Sequence, residues 1–126
     1  MKLMAYVKKL KIKGDTRTYK LSSDIKKYTL RDVGFVESKN GKFQLERSLD
    51  PNSPFNKGLK FKMAITSNLK TFKMLATSAN GLNEVNIYKS TDADVHIEQL
   101  NYILEELEKR HVLEKIGQKL SENENL

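Results

Sequence analysis

Two stretches of strict alternation limit what this chain can fold into. Leu59, Phe61, Met63 and Ile65 alternate with Lys60, Lys62, Ala64 and Thr66, and Phe72, Met74 and Ala76 alternate with Lys73, Leu75 and Thr77. A period of two puts each apolar set on one face of a strand and the lysines on the other. Such strands build an antiparallel sheet with one solvated face, and the apolar face needs a cover. That cover begins near Asp92. Ala93, Ile97, Leu100, Ile103, Leu104 and Leu107 recur at helical spacing, and Val112, Leu113 and Ile116 extend the stripe. Thr91 with Asp94 three residues on reads as a variant capping box. Asp92, Asp94 and Glu98 near the start, and Lys109, Arg110 and Lys115 near the end, suit the helix macrodipole. The spacing predicts one long helix over 92–116, stopped by Gly117.

The remaining segments read as hairpins and one short helix. Val7, Leu10 and Ile12 precede a turn at Gly14-Asp15, and a second β-rich run follows to Leu21. Ser23-Asp24 is a candidate cap for a short helix ended by Gly34, although Thr29-Leu30 fits an extended chain equally well. Asn40-Gly41 predicts a type I′ turn, which would set Lys39 opposite Lys42, Ser38 opposite Phe43 and Val36 opposite Leu45. Val36, Phe43 and Leu45 would then share one face. Pro51 and Pro54 mark a loop over 48–57, with Phe55 tucked against the core. Asn80-Gly81 starts a further turn, after which Leu82, Val85 and Ile87 would continue the meander as a third strand. Strands followed by one amphipathic helix make an α+β pattern. The chain of 126 residues has the size of one domain, expected over 1–117, with a polar tail at 118–126.

Charge is distributed unevenly. The formal net charge is +7, made of +7 over residues 1–50, +5 over 51–90 and −5 over 91–126. A cationic body raises nucleic acid or an anionic metabolite as ligands, while lysines along strands also keep a sheet soluble and blunt its edges. The absence of Cys excludes disulfides, thiolate nucleophiles and thiolate metal sites, and fits a reducing, cytoplasmic setting. No apolar run approaches the ~20 residues that cross a bilayer, and the basic N-terminus lacks an apolar signal core. No membrane role is expected.

Few residues advertise chemistry. His96 and His111 lie fifteen residues apart on the predicted helix, too far along its axis to share a metal, and read as surface or helix-end histidines. No glycine-rich phosphate loop, metalloprotease signature or Ser/His/Asp spacing is present, so neither cofactor nor metal is expected and catalysis is disfavoured. Arg17, Arg31 and Arg47 precede the helix, and guanidinium groups grip carboxylates or phosphates in a fork. With Tyr28 they form one candidate ligand set. Lys60, Lys62 and Lys73 form a candidate basic face, able to meet an anionic metabolite, a protein partner or nucleic acid.

The segments Gly14-Asp15-Thr16-Arg17-Thr18-Tyr19-Lys20-Leu21, Lys27-Tyr28-Thr29-Leu30-Arg31-Asp32-Val33-Gly34-Phe35 and Thr77-Ser78-Ala79-Asn80-Gly81-Leu82 carry a resemblance. They resemble a family of small uncharacterised proteins of lactobacilli and related Gram-positive bacteria, labelled for amino-acid metabolism from gene neighbourhood. The resemblance spans about residues 5–115. It implies two antiparallel β-sheets, made of hairpins and a meander, packed against one long C-terminal helix. It also implies an accessory role beside an amino-acid enzyme such as a cysteine desulfurase. The family supplies no catalytic residues to carry over. Without Cys, the chain could serve sulfur transfer only as a scaffold.

Overall fold

The structure, a computed structural model, describes residues 5–51 and 58–116. The N-terminal hairpin forms as expected, with β1 (Lys9–Leu10) antiparallel to β2 (Thr18–Leu21). A short helix, α1 (Lys27–Val33), follows. Gly34 closes it in the left-handed conformation, its N–H on the Arg31 carbonyl while the Phe35 N–H reaches Leu30. The Ser23-Asp24 cap does not form. Ser22 Oγ instead accepts from the Asp24 N–H in a tight turn, and the helix starts two residues later than such a cap requires, without a side-chain cap.

The second sheet holds β3 (Val36–Glu37), β4 (Phe43–Ser48), β5 (Lys60–Ile65) and β6 (Phe72–Thr77), antiparallel and in chain order. Its first hairpin departs from the expected register by one residue. Val36 pairs with Gln44 and Glu37 with Phe43, so the loop is Lys39-Asn40-Gly41. Only Gly41 takes a positive φ, 84°, whereas a type I′ turn needs two such residues. Ser38 stabilises the longer loop by accepting from the Gly41 N–H through its carbonyl and from the Lys42 N–H through its Oγ. A one-residue slip reverses a strand's faces. Val36 is therefore 69% exposed, while Phe43 and Leu45 are buried.

The alternation over 59–77 behaves as expected. Phe61, Met63, Ile65, Phe72, Met74 and Ala76 enter the core, and Lys62, Lys73 and Leu75 stand on the opposite face. The expected third strand after Asn80-Gly81 shrinks to an isolated bridge between Thr77 and Glu84. Asn86 ends the extended chain, because its Oδ1 accepts from the Tyr88 N–H and starts a 3₁₀ turn over Ile87–Lys89. The same side chain packs against Gly14, where an added Cβ would collide with Asn86 Oδ1.

The C-terminal helix is shorter than its stripe suggested. α2 (Ala93–Lys109) ends near Arg110, and Val112, Leu113 and Ile116 do not continue it. His111 adopts a left-handed φ of 61°; its N–H reaches the Glu108 carbonyl and the Val112 N–H reaches Leu107. This is a Schellman closure with histidine in the usual glycine position. The chain then enters β7 (Leu113–Ile116), which pairs with β2 to complete a sheet of order β1-β2-β7. The Thr91 cap is also displaced. Asp92 precedes the first helical residue, and its carbonyl takes the Val95 and His96 N–H groups.

One buried cluster joins both sheets and both helices, including Tyr19, Leu30, Phe43, Phe61, Phe72, Leu100, Leu104 and Leu113. The result is an α+β fold with two antiparallel sheets, of three and four strands, and one long helix near the C-terminus. The expected tail at 118–126, the Gly117 stop and the placement of Phe55 lie outside the described residues.

Candidate anion-binding groove

The outward face of the four-stranded sheet is open, and cross-strand register arranges its side chains in rows. Val36, Gln44, Ala64 and Lys73 make one row, and Glu46, Lys62 and Leu75 the next. The segment after β6 rises beside them, with Glu84 bridged to Thr77. Together these elements enclose a groove of about 570 Å³. Val36, Ala64, Leu75 and Leu82 supply its apolar lining; Lys62, Lys73, Glu46 and Glu84 supply charge. Val36 and Leu82 are among the most exposed large apolar residues of the chain. Exposed apolar groups beside charge are common at binding sites.

The charges of the groove differ in how far they are already engaged. Lys60, just outside it, meets Glu46 at 2.8 Å. The hydrogen bond from Lys60 holds the Glu46 carboxyl below the ordinary carboxylate range, opposing a smaller effect of burial and helped by the charges of Lys60 and Lys62. Among the described residues, no ion pair involves Lys62, Lys73 or Glu84. Lys73 Nζ rests 4.7 Å from the centre of the Tyr6 ring, which positions its charge without neutralising it. Lys62 Nζ lies against Gly81, whose missing Cβ leaves room for the ammonium. Of the basic face expected from strand alternation, Lys62 and Lys73 line the groove and Lys60 does not.

The arginine set is placed elsewhere. Arg17 forks onto Asp15, with contacts from 2.8 to 3.1 Å, and reaches the Tyr88 hydroxyl at 3.4 Å. Arg31 pairs with Glu37 at 2.9 Å. Arg47 donates to the Val33 carbonyl at the end of α1 and lies 3.7 Å from Glu106 of α2. Tyr28 stands 62% exposed on α1. None of the four lines the groove. Arg31 and Arg47 flank the α1–β3 junction, whereas Arg17 belongs to the N-terminal hairpin.

The structure also assembles a serine, a histidine and an aspartate that sequence spacing did not reveal. His96 is only 5% exposed, not a surface residue, because the first turn of α2 faces the loop after β4. Its Nδ1 lies 2.7 Å from Ser90 Oγ, and its Nε2 lies 3.1 Å from Asp50 Oδ1 without hydrogen-bond geometry. Ser90 donates its one hydroxyl proton to the Ile87 carbonyl at 2.7 Å, so it accepts from His96. A nucleophilic serine needs the opposite arrangement, with its proton passed to the imidazole. The trio acts as a clamp. Asp50 Oδ2 also accepts from the Leu59 N–H, tying the two ends of the β4–β5 connection to α2. Among the described residues, no group of three or more His, Asp or Glu side chains could hold a metal ion, and no helix is long and apolar enough to cross a membrane.

Fold and groove together define a small α+β protein with a mixed-charge cleft on one open sheet. The chain belongs to the DUF1831 family, described as "Putative amino acid metabolism", whose model matches residues 4–114. Its structure is similar to the crystal structure of a DUF1831 family protein from Lactobacillus plantarum, with a TM-score of 0.82 and 45% sequence identity. That likeness covers 89% of this chain and 98% of the other. No curated protein matches the sequence.

Proposed function

We propose that the chain is a non-catalytic accessory domain of amino-acid metabolism that binds a small anionic metabolite in the groove on its open sheet. The observation that carries this reading is the pair Lys62 and Lys73, half-buried in one cleft and in no ion pair among the described residues. A carboxylate or phosphate held there supplies the counter-charge that the fold omits, in a setting partly screened from water. The clamp geometry of Ser90, His96 and Asp50 supports an accessory role over a hydrolytic one. A nucleic-acid backbone fits the face less well. Glu46 and Glu84 interrupt the cationic surface, and phosphate tracking favours a continuous one.

Thermal unfolding of the intact chain with a panel of carboxylates, 2-oxo acids and phosphates tests this reading. A bound member should stabilise the protein by about 2.7 kcal/mol at a hundred times its Kd, with the shift growing with concentration. Lys62→Ala with Lys73→Ala should abolish the shift, whereas Lys9→Ala on the other sheet should leave it intact. A shift that persists in the double variant, or none from any panel member, overturns the reading. Tight binding that collapses with salt and requires a polynucleotide would instead favour nucleic acid. Co-purification with a desulfurase-type enzyme, retained after nuclease treatment, would identify the partner of such an accessory domain.

A further inference from the structure

We infer that the groove takes an α-amino acid with a short apolar side chain, its carboxylate on Lys62 and Lys73 and its ammonium on Glu84. This inference rests on the anion-binding reading above and specifies its ligand class. Glu84, exposed at the rim of the cleft, opposes a simple anion and suits a ligand that also carries a positive charge. Glu84 forms no ion pair among the described residues, while the other groove acid, Glu46, is occupied by Lys60. The cleft therefore offers two cations and one anion that form no ion pair among the described residues.

Their spacing suits a single small dipolar molecule. Lys62 pairs with Leu75, Thr77 stands two residues further along β6, and Glu84 bridges to Thr77 on the outer side. Two strand spacings across and two residues along separate the Lys62 and Glu84 backbones by about 12 Å. Lys62 leans to Gly81, three residues before Glu84, and Glu84 lines the same groove. Leu75 lies between Lys62 and Glu84, Ala64 stands beside Lys73 at the far end, and Leu82 lines the same groove. These groups offer an apolar side chain a surface but no hydrogen-bond partner. Glu84 thus adds selectivity: it attracts an ammonium-bearing ligand and repels the corresponding 2-oxo acid.

Isothermal titration of the intact chain with L-leucine, L-methionine and L-norleucine, each against its matched 2-oxo acid, tests the inference. At least one amino acid should bind about tenfold more tightly than its oxo acid, the lower end expected for one charged hydrogen bond at a partly open site. Glu84→Gln should remove that preference, and Glu84→Lys should reverse it, while both variants keep the parent melting temperature. Equal affinities unchanged by Glu84→Gln would overturn the inference and leave the anion reading standing. Binding of the amino acids that survives Lys62→Ala with Lys73→Ala would overturn both. Failure of every amino acid beside a carboxylate or phosphate that still binds would overturn only the inference.

Discussion

Asp15 and Arg17 show how one pair can tie a turn to the rest of the fold. The Asp15 side chain is 4% exposed, and burial alone would raise its pKa. The Arg17 hydrogen bonds and charge outweigh burial and hold the carboxyl below its ordinary value of 3.8. A folded-state pKa below the unfolded one means that folding favours the ionised form. The pair's contribution is complete above pH 3.8 and drains away as pH falls through the lower folded value. Asp15→Asn should therefore be less stable than the parent at pH 7, with the gap closing in acid; urea melts at a series of pH values measure it. A gap that stays constant to pH 2 would assign the stability to packing. The His96 clamp makes a second prediction at this scale. Asp50→Ala leaves the Leu59 N–H without its acceptor and removes the carboxylate packed beside the buried imidazole, and should cost about 1–3 kcal/mol by chemical denaturation. Neither contact network was fully legible beforehand. Asp15 and Arg17 are two residues apart, but Asp50 and His96 meet only through the docking of α2, and nothing local links them.

At the scale of elements, the clearest departure from expectation is the end of α2. Val112, Leu113 and Ile116 fit a helical stripe, yet they also make a short apolar run that suits a strand. Sequence periodicity alone does not separate the two. No glycine marks the stop, because His111 takes the left-handed position itself. A non-glycine residue there costs roughly 1–2 kcal/mol, partly returned by the smaller entropy it loses on folding. His111→Gly should thus stabilise the chain by about 0.5–1 kcal/mol, visible as a higher urea midpoint at unchanged slope; destabilisation would show that the imidazole makes a contact of its own. The β3–β4 hairpin missed its register for a related reason. Asn40-Gly41 fits a two-residue turn, but Ser38 bonds to the backbone one residue further out and lengthens the loop. That slip matters for the site, because it is what turns Val36 out of the core and into the groove. By contrast, β5 and β6 were readable from alternation alone, because each has one face fully committed to the core.

Across the whole molecule, the α+β class and the pairing of strands with a long helix followed from hydrophobic period. Two of the three basic-face lysines were placed in the cleft by alternation, but the cleft itself was not foreseen. It depends on the exposed Val36 and on Glu84, both set by loop geometry. The two sheets share one core, so damage in either should be felt cooperatively. Phe61→Ala, at a fully buried position of β5, should cost about 3–5 kcal/mol and lower the stability of both sheets together in hydrogen exchange. Independent exchange of the β1-β2-β7 sheet would contradict a common core.

The closing of that sheet by β7 has a consequence for the nascent chain. Leu21 pairs with Leu113 and Thr18 with Ile116, partners 92 and 98 positions apart, whereas the β4–β5–β6 meander joins near neighbours. Long-range closure forfeits more chain freedom before any contact compensates for it. At about 5–20 residues per second, β2 emerges roughly 5–20 s before the strand it needs. During that interval its Tyr19 face has no complete sheet to join, while the meander can already pair. The cationic half of the protein is thus made first and waits, with lysines along its strands discouraging association between neighbouring unfinished chains, until β7 arrives to complete the first sheet.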